Sequence, residues 1–242
     1  DDMSILTFDT LDSTNSYLKR NGKYLDHFTV VQANHQEQGK GRLGRSWQDQ
    51  GNSLLFSILL KEKIEPERVP LLSLLAGASV VLTLEHYGLT PLVKWPNDTL
   101  VSEKKISGIL TEAVSEGEDI FYIVGIGINL NQKGFEGELS QKATSLFLLT
   151  KKEYDKEEVL TVLLSYFTPL YQDYIQGGKK FLTVVKSHSY LDQKEVSLDY
   201  YGEHIHGTVI DITDKGTLLL DVSGKQIEVS SGEVTLNQMY LK

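Results

Sequence analysis

The chain contains no cysteine among its 242 residues. That excludes a disulfide framework, a thiolate metal site and a cysteine nucleophile, and it fits a reducing cytoplasm. No apolar run reaches bilayer-spanning length, and the opening DDMSILTFDT carries no charged-then-apolar leader. Asp1 and Asp2 ahead of Met3 read as an expression remnant. Positive charge is scarce too: 24 Lys and Arg against 33 Asp and Glu leave a formal net charge of -9. Most of such a surface repels a phosphate backbone, so general nucleic-acid binding is disfavoured and any local cluster of cations stands out. Tryptophan occurs twice, as Trp47 and Trp95. What the chain does have is enough apolar residue, 40%, for one large core or a core with a small satellite.

The periodicities predict an α+β protein. DSTNSYLKRNG reads as a short helix with Ser13 or Thr14 as N-cap and Gly22 at its far end. HFTVVQANHQ reads as a strand, and SLLFSILL (53–60) as a fully buried one. VPLLSLLAGASVVLTLEHYG, between Pro70 and Gly88, reads as a core helix. LVKW, KKISGILTEAV and IFYIVGIGINL are further strands, separated by turns at PND and SEGED. KEEVLTVLLSYFTPLYQDYIQGG and KFLTVVKSHSYL read as helices. From about Leu191 the texture changes to short alternating strands, EVSLDYY, HIHGTVIDI, TLLLDV and QIEVSSGEVTL, which predicts a small β-barrel packed directly on the first domain. The expected boundaries are 1–190 and 191–242.

Four stretches carry chemistry. In GKGRLGRSW (39–47), Gly39, Gly41 and Gly44 free the backbone amides to close on an oxyanion, Lys40, Arg42 and Arg45 supply charge, and Trp47 offers a stacking face. A solvated surface hairpin is the competing reading, since the pattern is neither a Walker A loop nor a dinucleotide fingerprint. In VKWPNDTLVSEKKISGILTE, Lys104 and Lys105 open a strand, either as edge protection or to neutralise a carboxylate or phosphate. In YIVGIGINLN, Gly125, Gly127 and Asn129 share one strand face, so the two glycines leave a slot there for a ligand or for a closely packed helix. Ser13, Thr14 and Asn15 are capping types at a helix start, with ligand contact as the alternative. His204 and His206 share a strand face without an evident third metal ligand, and read as exposed histidines. Metal-coordinating groups are not identified.

Taken together, DSTN, QEQGKGRLGRSW, KWPND, KKISGIL and GIGIN resemble, in order and spacing, the biotin protein ligases, also called biotin–acetyl-CoA-carboxylase ligases. The resemblance covers nearly the whole chain. It implies a mixed sheet packed with helices, like the class II aminoacyl-tRNA-synthetase catalytic domain, followed by a small C-terminal SH3-like β-barrel. Lys40 and Leu43 stand where the family's loop usually has arginine; Lys40 keeps the charge but not a planar forked contact. If Met3 is the native start, the resemblance implies a short form without the N-terminal DNA-binding domain of many bacterial relatives. It admits a homodimer through the catalytic sheet, while the sequence itself fixes no oligomeric state.

The implied reaction activates biotin with ATP to biotinoyl-5′-AMP and passes the acyl group to one lysine of a biotin carboxyl carrier domain. Two like charges about 4 Å apart repel by roughly 4 kcal/mol at an effective dielectric near 20, so the site must supply cations. The resemblance assigns that role to Arg42 and Lys105, with Mg2+ screening the departing pyrophosphate. It implies biotin contacts at Ser13, Thr14, Asn15, Gln36, Gly39, Lys40, Arg42, Lys105, Gly108, Gly125 and Gly127. It implies ATP contacts at Arg42, Arg45, Trp47, Lys105 and Asn129. Neither nucleic acid nor a membrane is an expected partner. One conflict stands: in an uninterrupted strand Lys105 and Gly108 face opposite ways, so a bend or bulge near Gly108 is required. Lipoate protein ligases are the nearest enzymatic rival, and a nucleic-acid-binding module is the rival of another class.

Overall fold

The computed structural model describes residues 3–39 and 50–236. Strand β1 (Ile5–Leu11) leads into helix α1 (Thr14–Asn21), whose N-cap is Ser13: its hydroxyl accepts from the backbone N–H of Ser16. Gly22 at the other end keeps a right-handed backbone. It is a glycine for a packing reason, because a Cβ there would lie 2.7 Å from the ring of Phe121.

Strands β2 (Val30–Gln36) and β3 (Ser53–Leu60) follow, and every residue of β3 is buried. Helix α2 (Leu71–His86) is apolar nearly all round. Against the expectation that no apolar run is long enough, Pro66–His86 would by length and composition cross a bilayer, yet most of it is buried inside the protein, packed against α5 (Lys156–Ile175) and α6 (Lys180–Ser187). Strands β4 (Leu92–Lys94), β5 (Asp98–Val101), β6 (Lys104–Glu116) and β7 (Asp119–Asn129) complete a seven-stranded sheet in the order β1-β2-β3-β7-β6-β5-β4. It is mixed: β1 and β2 run parallel and the other neighbours antiparallel. Two short helices, α3 (Leu139–Lys142) and α4 (Leu146–Thr150), precede α5. Two strands escape the periodicity reading, β1 and the four-residue β5, which begins inside the PND turn.

The sheet has two unlike faces. One carries Leu54, Phe56, Ile58 and Leu60 against Ile126 and Val124 and joins the large core under α2 and α5. The other carries Ser53, Leu55, Ser57 and Leu59 paired with Asn129, Gly127, Gly125 and Ile123, and α1 lies over it with Leu18 fully buried.

The C-terminal strands β8 (Glu195–Tyr200), β9 (Glu203–Ile212), β10 (Leu218–Val222), β11 (Lys225–Val229) and β12 (Thr235–Leu236) form a five-stranded antiparallel sheet, ordered β11-β10-β9-β8-β12. The stretch QIEVSSGEVTL is thus two strands rather than one. This sheet shares one hydrophobic cluster with the first: Leu218, Leu220 and Val196 belong to the same core as α2. A polar tie accompanies it, the indole N–H of Trp95 donating to the Gly216 carbonyl at 2.9 Å. Gly216, at φ +81, sits so close to Leu71 that a Cβ would lie 2.9 Å from it.

Candidate active site

On the α1 side of the large sheet, a cleft with about 170 Å3 of space open to water lies beside Gly125. Its floor is made by absence. Gly127 on β7 pairs with Gly108 on β6 on one side and with Leu55 on β3 on the other; Gly125 pairs with Leu110 and Ser57. Glycine weakens a strand interior, and here three of them keep side chains out of the same patch of sheet.

The roof on one side is the start of α1. Ser13, Thr14 and Asn15 are all buried and all line the cleft. The corner that aims them is pinned by charge: Arg20 grips Asp12 through both guanidinium nitrogens, Nη1 to Oδ2 at 2.6 Å and Nη2 to Oδ1 at 3.1 Å. Asp12 Oδ1 also accepts the Ser13 N–H at 2.8 Å. The hydrogen bonds from Arg20 hold the Asp12 carboxyl below its ordinary pKa. The Thr14 N–H donates to Gln36 Oε1 at 2.8 Å, which ties β2 to the helix start.

Asn15 lies directly on Gly125. A Cβ on that glycine would meet Asn15 Oδ1 at 2.3 Å, so the helix can approach this closely only because the strand is bare. The Asn15 amide nitrogen donates to the Leu110 carbonyl at 3.2 Å and to Glu112 Oε1 at 2.9 Å, and Glu112 in turn is paired with Lys19. Asn15 Oδ1 accepts from the Ser57 hydroxyl at 2.5 Å.

At the β5–β6 side stand Lys94, Asp98 and Lys105. Lys105 Nζ is 3.2 Å from Asp98 Oδ1, both side chains being more than a third exposed. The bulge that the spacing demands is present. Asp98 pairs with Gly108, and Leu100, two residues on, pairs with Lys105, three residues back; the register shifts there, and Ile106 is the extra residue. Lys105 and Gly108 consequently both line the cleft. The PND turn is held from below, Asn97 Nδ2 donating to the Ile109 carbonyl at 2.9 Å.

The structure therefore gathers Ser13, Thr14, Asn15, Gln36, Lys105, Gly108, Gly125 and Gly127 around one cleft. Asn129 shares the strand face of the two glycines, but its amide is taken up next door: Oδ1 accepts from Ser53 and from Gln132, and Nδ2 donates to the Thr144 carbonyl. Gly39 is buried where the chain leaves β2. Lys40, Arg42, Arg45 and Trp47 lie outside the described residues. His204 and His206 are exposed and bonded to Asp199 and Ser197, respectively. Among the described residues no group of three His, Asp or Glu side chains is placed to hold a metal ion.

Several cleft residues have no sequence signal beyond their neighbourhood: Lys94, Trp95, Asp98 and, from the C-terminal sheet's side, Glu233 and Val234. Ser57 did have one. It and Ser53 interrupt an otherwise apolar strand four residues apart, on the face that also bears the glycines.

Comparison with known proteins adds an independent line. Residues 7–131 match the model of the Biotin/lipoate A/B protein ligase family, and residues 194–236 match that of the Biotin protein ligase C terminal domain. The Bifunctional ligase/repressor BirA of Bacillus subtilis (strain 168) is 33% identical over 214 residues, covering 86% of this chain and 66% of the relative; the chain thus spans just under two thirds of that protein. The Biotin--[acetyl-CoA-carboxylase] ligase of Mycobacterium tuberculosis is 29% identical over 215 residues, covering 85% of this chain and 77% of the relative. Among solved structures, biotin protein ligase from Aquifex aeolicus in complex with biotin and ATP superposes with a TM-score of 0.85 at 33% identity, over 97% of this chain and 98% of that one.

Proposed function

Because the chain belongs to the Biotin/lipoate A/B protein ligase family, we propose that the cleft beside Gly125 binds biotin and ATP, joins them as biotinoyl-5′-AMP, and delivers the biotinoyl group to a lysine of a biotin carboxyl carrier domain. The observation that carries this reading is the division of the cleft. Hydroxyl and amide groups from α1 and β2 stand over bare glycine, while two lysines and an aspartate stand across on β4, β6 and β5, respectively Lys94, Lys105 and Asp98. A fused ring with a ureido group needs the first, and a carboxylate meeting a triphosphate needs the second.

In the first step a biotin carboxylate oxygen bonds to the α-phosphorus of ATP and the bond to the pyrophosphate oxygen breaks. Lys105 is placed to offset the charge that both reactants bring, and Lys94 adds to the local potential. Asp98 holds the Lys105 ammonium at the cleft wall. Arg42 is assigned the partnering cation on sequence grounds. Mg2+ bound with the nucleotide would supply positive charge against its phosphates, and Asp98 and Glu233 are the carboxylates among the described cleft residues that could face it.

In the second step the carrier lysine's uncharged amine bonds to the acyl carbon, the amine proton passes to solvent or phosphate, and AMP leaves. The glycine floor gives the aliphatic tail a dry channel, which protects the mixed anhydride from water. Residues 1–190 are taken as the catalytic unit and 191–242 as an SH3-like barrel, acting in the cytoplasm.

The direct test is mass spectrometry of a purified carrier domain after incubation with this protein, MgATP and either biotin or lipoate. A single added biotinoyl group is expected. Transfer of lipoyl in preference to biotinoyl, or of neither, would overturn the reading.

A further inference from the structure

We propose that Ser57, a fully buried serine beneath the cleft, fixes Thr14 as a pure hydrogen-bond acceptor toward the ligand and so selects a ring that presents N–H there. The proposal rests on the biotin reading and names a residue that makes the reading specific.

The argument follows protons one bond at a time. Leu110 O and Glu112 Oε1 are acceptors, and both lie against the same atom of Asn15, its Nδ2, at 3.2 and 2.9 Å. The Asn15 amide is thereby locked, because the reverse orientation would set its oxygen against a carbonyl and a carboxylate. Lys19, paired with Glu112, holds that carboxylate in place. Asn15 Oδ1 consequently faces Ser57 Oγ at 2.5 Å, and an amide oxygen cannot donate. The single hydroxyl proton of Ser57 is committed to Asn15.

Thr14 Oγ1 lies 2.6 Å from the same Ser57 Oγ. With the serine proton already spent, only Thr14 can donate in that pair. Both hydroxyls and the amide are buried, with Ser57 at 0%, Thr14 at 3% and Asn15 at 6% exposure, so water does not compete for these bonds. The Thr14 oxygen is left with lone pairs alone to offer the cleft that it lines. A ureido ring supplies N–H at such a point. A cyclic carbamate of the same shape, with ring oxygen in place of that N–H, brings a second set of lone pairs.

The test compares biotin with its two carbamate isomers, each with one ring N–H replaced by oxygen, by calorimetric titration into wild-type protein and into Ser57→Ala and Ser57→Thr. In wild type, one isomer is expected to bind at least about 100-fold more weakly than biotin, because a buried acceptor facing an acceptor is left unpaired. In Ser57→Ala the Thr14 hydroxyl is released to donate to the ring oxygen, so the biotin-to-carbamate ratio should shrink by at least about tenfold. Ser57→Thr keeps the hydroxyl and should keep the ratio. A merely structural serine would weaken all three ligands together and leave the ratios unmoved, which overturns the proposal; so does wild-type binding of both isomers within a few-fold of biotin. If Ser57→Ala does not fold, the ratios in wild type and Ser57→Thr decide. Binding of carbamate and biotin alike leaves the biotin reading intact, whereas failure to bind biotin at all removes that reading and this one with it.

Discussion

Gly108 and Gly127 sit opposite each other across β6 and β7, a cross-strand pair with no side chain on either partner. Such a pair contributes nothing to the usual cross-strand packing of a sheet. Its use lies in the room above it, and the neighbouring Gly125 extends that room until Asn15 closes it.

Gly125→Ala is expected to be costly for so small a change. The new methyl would stand 2.3 Å from Asn15 Oδ1, and Asn15 cannot swing aside without breaking its bonds to Ser57, Leu110 and Glu112. Overpacking of this kind costs about 1–3 kcal/mol. Urea denaturation should register that loss, and biotin KM should rise about tenfold or more as the helix start is displaced.

Lys105→Gln is expected to slow pyrophosphate exchange about 100-fold, as removal of one charge-stabilising group commonly does. Asp98 sharpens the prediction. With its partner gone, its carboxylate adds repulsion to a step that already unites two anions, so Lys105→Gln/Asp98→Asn should recover part of the lost rate. Stability should barely change in either variant, since an exposed pair contributes at most about 1 kcal/mol. A double variant slower than the single would count against the electrostatic role.

Trp95→Phe removes the donor to the Gly216 carbonyl and empties part of a site where the indole is 2% exposed. A loss of about 2–3 kcal/mol is expected from the unpaired carbonyl and the residual cavity together. Because Trp95 also lines the cleft, KM for biotin or ATP should rise in the folded variant. Unchanged kinetics would show the indole to be a strut only.

His27 gives the stability a pH dependence outside the cleft. Its Nδ1 accepts the Lys61 N–H at 2.9 Å, and Nε2 stands 2.9 Å from Glu62. Burial lowers its pKa, outweighing the pull of Glu62. The folded protein therefore binds fewer protons here than the unfolded chain, so stability should be full above the unfolded value near 6.5 and decline as pH falls toward the folded pKa. Chemical denaturation between about pH 5 and 8 should show the decline. In His27→Gln, whose amide oxygen can accept from Lys61, that component should flatten.

Much of the architecture was legible because it rests on local rules. The all-buried β3 follows from eight residues without a charge, and the cap at Ser13 from a hydroxyl ahead of a helical pattern. In the candidate site the glycines of β7 announced a bare strand face, room for a ligand or a closely packed helix, and the structure has the start of α1 on Gly125 and a cleft beside it. Sequence also demanded a bulge in β6 without locating it, since only pairing with β5 reveals that Ile106 is the residue left over. β5 itself was hidden by the turn residues that open it. The proton order through Asn15, Ser57 and Thr14 was out of reach, because it joins positions 42 and 95 residues apart that meet only when α1 settles on the sheet.

The surplus residue in β6 has a wider meaning. A strand normally keeps odd and even positions on separate sides for its whole length, so a cation and a void three places apart cannot share a wall. By inserting Ile106, this chain changes phase in mid-strand and obtains both. Drawing Ile106 into regular pairing would send Lys105 to the far side of the sheet with the composition untouched, whereas excising it would leave Lys105 two places from Gly108 and still on the cleft side.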